Sequence, residues 1–117
     1  MDRRADRGAT GEDLAAAWYA DRGFHVIERN WRCPAGELDL VAVRDGVLAI
    51  CEVKTRSGLA FGAGYEAVGW QKQRKLRQLA ELFLLGSAAR PAAVRFDVAS
   101  VSLTSGGASI EVFEDAF

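Results

Sequence analysis

The run VLAICEVK (Val47–Lys54) is apolar until its end, where Glu52 and Lys54 appear two residues apart. Side chains alternate across a β-strand, so this carboxylate and this ammonium point to the same face. Upstream, ELDLVAV (Glu37–Val43) carries Asp39 and is joined to the first run through Arg44-Asp45-Gly46, whose Asp-Gly pair is the signature of a tight hairpin. A hairpin makes the two strands neighbours and can bring Asp39 close to Glu52. Two carboxylates about 5 Å apart repel by roughly 3 kcal/mol at an effective dielectric of about 20. A third, Glu12, would make three such pairs, more than one lysine offsets. A divalent cation does offset it, and Mg²⁺ prefers oxygen ligands while keeping several waters. The group therefore reads as an acidic metal site beside an ammonium. Such a site suits phosphodiester hydrolysis, with Lewis-acid help and an acidified water from the metal. Lys54 is placed to steady the attacking water or the growing negative charge.

The elements that must position these groups can be read from spacing. Thr10-Gly-Glu-Asp13 resembles a capping box with Thr10 as N-cap. A helix is expected from there through LAAAWYADR to Gly23, a good residue to follow a helix end. Its apolar face is Ala15, Trp18 and Tyr19, and Glu12 lies three residues before Ala15 on that face. Strands are expected over Phe24–Trp31, Glu37–Val43, Val47–Lys54, Ala93–Val101 and Ala108–Phe113, with turn chemistry at Cys33–Gly36 and Ser105–Gly107. Alternation puts Glu37 and Asp39 on one face. Ser57–Gly64 reads as a flexible loop. A second helix, from Val68 or Trp70 to Leu85, buries Leu76, Leu79, Ala80 and Phe83. Extended backwards, that stripe meets Lys72 and Gln73, with Arg74 on the opposite side. The order α-β-β-β-α-β-β predicts an α/β fold, one mixed five-stranded sheet flanked by helices, with the Val47–Lys54 strand central.

Composition bounds the function classes. The chain has 117 residues, half of them hydrophobic, which suits one domain over residues 10–117 preceded by a mobile arm over residues 1–9. No apolar stretch has membrane-spanning length, and the arginine-rich start has no apolar core of a secretory signal. With only two cysteines, Cys33 and Cys51, no CxxC pair exists, so neither a disulfide framework nor a structural zinc site is expected. A cytoplasmic location follows. His25 falls within a strand and reads as structural. Net charge is −1, so any nucleic-acid contact must come from a local patch. Basic residues gather at Lys72, Arg74, Lys75 and Arg77, with Arg29, Arg32, Lys54 and Arg56 upstream. Arg56, Lys72 and Lys75 are the candidates for holding phosphates that flank the scissile one.

Taken singly, each feature has an ordinary reading. Glu52 and Lys54 suit an edge-strand charge pair, Glu12 a carboxylate stabilising a helix start, and the basic run a solvated helix face. Trp18, Trp31 and Trp70 are expected in the core. The coincidence of charged residues where separate elements should bury apolar ones points instead to a site.

GELDL (Gly36–Leu40) followed by CEVKTR (Cys51–Arg56) resembles the D…ExK core of the restriction-endonuclease-like nuclease superfamily. More narrowly, the chain resembles the bacterial YraN-type family, related to archaeal Holliday-junction resolvases. GEDLAAAWYADRGFHVIERNWRC, Lys72-Gln73 and RFDV (Arg95–Val98) extend that likeness over nearly the whole chain. It implies a restriction-endonuclease-like core. It also implies Asp39, Glu52 and the Val53 carbonyl as ligands of Mg²⁺ or Mn²⁺, Lys54 as the catalytic lysine, and Glu12 completing the site. Leu38 stands where the superfamily often has proline. The expected partner is nucleic acid, DNA above all, with branched or junction DNA as substrate and a homodimer if two cuts are made. The competing expectations are a nucleic-acid-binding module without catalysis and a protein-interaction adaptor of the same fold.

Overall fold

Seven elements follow one another in the expected order: α1 (Arg3–Asp21), β1 (His25–Cys33), β2 (Gly36–Arg44), β3 (Val47–Ser57), α2 (Trp70–Leu85), β4 (Ala93–Thr104) and β5 (Gly107–Phe113). The computed structural model describes residues 3–57 and 68–117, with side chains over residues 10–56 and 68–117. The loop expected over Ser57–Gly64 lies outside the described residues, apart from the backbone of Ser57, which closes β3. The strands form one sheet in the order β1-β2-β3-β4-β5. Every pair is antiparallel except β3–β4, which is parallel because α2 carries the chain back across the sheet. The most continuously apolar strand, β3, is central, as expected. This is the mixed α/β sheet with flanking helices that the restriction-endonuclease-like resemblance implies.

Two cores result. On one face α2 lays Leu76, Leu79, Ala80 and Phe83 against Leu38, Val41, Leu48, Ile50, Phe96 and Val98. On the other, Ala15 and Tyr19 of α1 pack on Leu40, Ala42, Ala49, Cys51 and Ala99. The apolar stripes of both helices are those their periodicity predicts. The β2–β3 turn has two left-handed residues, Asp45 at φ 49° and Gly46 at φ 78°. That conformation matches the twist of the strands and is why Asp-Gly is favoured there.

Helix α1 comes very close to β3. A methyl group on buried Gly11 would lie 2.0 Å from Thr55 Oγ1 and 3.3 Å from its Cβ, so any side chain there would have to displace that of Thr55. The helix also begins earlier than its capping signal suggests. It starts at Arg3, and Thr10 is an interior residue rather than an N-cap. The preceding RRADRGA contains no proline and a single glycine, so nothing breaks the helix before Thr10. The arm expected over residues 1–9 therefore overlaps the first turns of α1. Trp70 also departs from expectation: at the first position of α2 it is 65% exposed, whereas Trp18 and Trp31 are partly buried. Trp31 packs edge-on against Phe83, and Arg22 covers the Trp18 ring. His25, the first residue of β1, is exposed. Among the described residues no helix is long and apolar enough to cross a membrane.

One charge lies deep in the α1 side of the sheet. Asp97 is 1% exposed. Arg95 donates to both its oxygens at 2.9 Å, the Asp115 backbone N–H donates at 2.9 Å, and the Tyr19 hydroxyl donates to Oδ2. Burial, with Cys51 and Asp97 adjacent, pushes the Tyr19 pKa well up, so the phenol stays a donor. Downstream of Asp115 the chain folds back onto β4: Ala116 N–H donates to the Phe96 carbonyl, and Phe117 stacks on the Phe96 ring under Arg77. Asp97 thus joins α1, β4 and the tail. Replacing Asp97 by alanine leaves the Tyr19 hydroxyl and the Asp115 N–H without their acceptor and Arg95 with only its 3.2 Å pairing to Glu114, and is expected to cost about 3 kcal/mol in urea denaturation at pH 7. Tyr19→Phe removes one donor among several and should cost about 1–2 kcal/mol.

Candidate functional site

The sheet forks between β2 and β3. Their pairing runs from Arg44↔Val47 to Leu40↔Cys51 and stops. Beyond that point β2 stays with β1 as far as Cys33↔Gly36, while β3 stays with β4 as far as Ser57↔Leu103. Asp39 and Glu52 would form the next pair in the same register, so they stand at the vertex of the fork. The backbone N–H of Val53 has no β2 carbonyl to meet there, and donates instead to Asp39 Oδ2 at 2.9 Å. In an extended strand the N–H and C=O of one residue point to the same side. The Val53 carbonyl therefore also faces the gap.

Side-chain direction changes at the vertex. Leu38 packs in the α2-side core, whereas Leu40, two residues on, packs in the α1-side core. Strict alternation therefore fails across Asp39, and with it the expectation that Glu37 and Asp39 simply share a face. Glu37 is exposed and pairs with Arg32 at 3.0 Å. On β3 the alternation holds: Leu48 and Ile50 face α2, and Glu52 follows them, receiving Lys72 Nζ of α2 at 3.4 Å from Oε1. Lys54 is the next residue on that face.

Electrostatics mark Asp39 as the uncompensated member. Burial first, then the Glu52 charge, raises its pKa to about 6, against the lowering effect of the Val53 N–H; Glu12 and Glu37 add smaller increments. Glu12 has partners of its own. Asn30 Nδ2 donates to Glu12 Oε1 at 2.7 Å, and Arg29 lies 3.8 Å from the same oxygen while pairing with Asp13 at 2.7 Å. Asn30 adopts φ 52°, a left-handed conformation asparagine tolerates, within β1. Among the described residues no three His, Cys, Asp or Glu side chains gather closely enough to hold one ion. Glu12, expected to complete the site from α1, stands near enough for its charge to act on Asp39 and has Asn30 and Arg29 as partners. What the fork offers a hard cation is two carboxylates and a carbonyl oxygen, a donor set that fits Mg²⁺ or Mn²⁺ completed by water.

The remaining basic and polar candidates lie on the end of β3 and the start of α2. Arg56 is on the free length of β3, partly exposed. The stem of Lys75 extends over Gly36, 3.5 Å from where a Cβ would stand. Gln73 has a structural task as well: its Nε2 donates to the Val68 carbonyl at 2.7 Å, tying the segment before α2 to its first turn. Arg29 and Asn30, which hold Glu12, were not among the sequence candidates. An asparagine inside a strand is the one signal that pointed to them, since asparagine is depleted in strands and tolerates positive φ.

The geometry has a counterpart in sequence comparison. Residues 11–101 match the model of a family described as "Uncharacterised protein family UPF0102". The chain belongs to the UPF0102 family. This is the YraN-type family that the motifs resemble. The UPF0102 protein of Beutenbergia cavernae is 52% identical over 103 residues, covering 87% of this chain and 86% of its own. That of Clavibacter michiganensis is 44% identical over 117 residues, 99% of each chain, and that of Moorella thermoacetica 42% over 119 residues, 100% of this chain and 98% of its own. The UPF0102 match begins at Gly11, the close-approach glycine, and includes both arms of the fork.

A pH dependence follows from Asp39. Its folded-state pKa of about 6 lies above the ordinary 3.8, so the metal-free folded protein holds this proton more tightly than the unfolded chain. The stabilisation is fully present below the ordinary value and is lost as pH rises through about 6. Asp39→Asn keeps an acceptor for Val53 but carries no charge. In metal-free buffer it should be more stable than wild type by about 2–3 kcal/mol at pH 8. The gap should close as pH falls below the ordinary carboxylate value, measured by urea denaturation across pH.

Proposed function

We propose that this protein is a metal-dependent nuclease that hydrolyses phosphodiester bonds of DNA in the cytoplasm, with the fork between β2 and β3 as its active site. The observation that carries the reading is the meeting of Asp39 and Glu52 at the vertex, with the Val53 backbone turned into the same gap. A carboxylate whose pKa is raised to about 6, by burial first and by its neighbour Glu52 second, is costly in a structural role and useful for binding a cation. Asp39, Glu52 and the Val53 carbonyl would hold Mg²⁺ or Mn²⁺, which when bound supplies Lewis acidity toward the phosphoryl oxygen. Lys54, the next residue on the Glu52 face, orients the attacking water or stabilises the charge that grows on the phosphoryl oxygens. Arg56, Lys72 and Lys75 line the approach and take the neighbouring phosphates, contacts that position the backbone without reading sequence. Glu12, whose charge already reaches Asp39 and which Asn30 and Arg29 hold in place, would complete the ligand set from α1.

β2 and β3 part company beyond Leu40 and Cys51, and a site at such a divergence suits a substrate that is not a straight duplex. Branched or junction DNA is therefore the proposed substrate class. Symmetric resolution of a junction takes two cuts, hence two copies of the chain.

Cleavage of labelled junction, flap and linear DNA with Mg²⁺ or Mn²⁺ tests this. Wild type should cut branched substrates; Asp39→Ala and Glu52→Ala should lose both cutting and the rise in melting temperature that millimolar Mn²⁺ gives by mass action. Lys54→Ala should keep the melting-temperature rise while cutting about 100-fold or more slowly. Binding without cutting on every substrate and metal would leave a catalytically silent nucleic-acid-binding module in place of the nuclease.

A further inference from the structure

Lys72 is an unexpected residue for its position. It is the third residue of α2, in a first turn that contains no acid. The start of a helix carries the positive end of its dipole, so a lysine there is unfavourable for the helix. Nothing local to α2 explains it. Across the gap, however, its Nζ lies 3.4 Å from Glu52 Oε1, and the two differ sharply in exposure: Glu52 is 16% exposed and Lys72 52%. A carboxylate that can move little meets an ammonium on a flexible stem that can reach both the site and solvent. On the other flank, Glu12 has its own cation in Arg29, fixed in a second pair with Asp13. Lys72 has no second carboxylate partner among the described residues.

We infer that Lys72 is a tethered counter-ion: it supplies the positive charge beside Glu52 while the fork is metal-free, gives way when a divalent cation binds, and then pairs with a backbone phosphate of the nucleic acid. The inference rests on the metal-dependent reading of the fork and adds an exchange of partners to it. Lys72 and the cation compete for one carboxylate, so removing the ammonium has opposite effects on the two ligands. The metal gains, because a like charge no longer repels it. The nucleic acid loses one phosphate contact. A lysine serving only to stabilise the fold would not separate the two in this way.

The test uses Lys72→Met, which keeps the stem and deletes the charge, beside Lys72→Arg, which keeps the charge. Titration with Mn²⁺ alone, followed calorimetrically, should give Lys72→Met an affinity about fivefold tighter than wild type, as expected for removing a partly solvated like charge. Lys72→Arg should stay close to wild type. A short labelled DNA in Ca²⁺, followed by anisotropy against salt, should bind Lys72→Met more weakly, with a log–log salt slope smaller by about 1. Equal or weaker Mn²⁺ binding by Lys72→Met would overturn the inference while leaving the metal site standing. Tighter Mn²⁺ binding with unchanged DNA affinity and slope would overturn the exchange onto phosphate. Absence of Mn²⁺ binding in wild type and both variants would remove the metal site itself and the inference with it.

Discussion

A single hydrogen bond organises the region where the chemistry is concentrated. Beyond Leu40 and Cys51 the central strands separate, and the Val53 N–H would face a gap if Asp39 Oδ2 did not accept it. An unpaired backbone donor in a partly buried strand is expensive, so the side chain that fills the role is held firmly. The same bond keeps a carboxylate beside Glu52 although charge repulsion opposes it. The raised proton affinity of Asp39 is the visible cost of that arrangement.

Helices support both arms of the fork. The β1–β2 arm is tied to α1 through Arg29 and Asn30, which reach Asp13 and Glu12. Helix α2 spans both arms on one face, with Phe83 against Trp31 and Leu79 beside Gly36 on the β1–β2 side and the same core reaching Phe96 and Val98 of β4. On the other face of β3, Gly11 lets α1 sit against Thr55. Far from the vertex, Asp97 gathers Arg95, Tyr19 and the backbone of Asp115 into one buried group. The protein therefore uses its buried charge in two ways. The Asp97 group is satisfied on every side and acts as a rivet. At the vertex Glu52 meets Lys72 while Asp39 takes the Val53 N–H and stays proton-hungry, chiefly through burial.

Much of this was legible in the sequence. Element order, the central place of β3 and the buried stripes of both helices followed from periodicity, because burial on a helix or sheet face imposes a repeat on the residues. That Asp39 could come close to Glu52 followed from the Asp-Gly turn, which makes the two strands neighbours; the register that sets them at one level comes only from the folded sheet. What periodicity could not show is a break in itself. The switch of Leu38 and Leu40 to opposite cores depends on the fork, which is a tertiary event. Glu12 had the right face for the site, but no local pattern named its partners Asn30 and Arg29. Arg95 and Asp97 have the same two-residue spacing as Glu52 and Lys54, and identical spacing led to a core pair in one strand and to the fork in another. Trp70 is exposed despite its aromatic character because it stands in the first turn of α2, at the surface.

The fork also has the mechanics of a pair of tongs. Strands rise about 3.3 Å per residue, so Arg56 lies roughly 13 Å along its arm from Glu52. Any swing of one arm against the other is largest at such tips and smallest at the hinge. Asp39 and Glu52 stand at the vertex, where the spacing between strands is least disturbed by breathing of the sheet, and α2, packed on both arms, limits that breathing further.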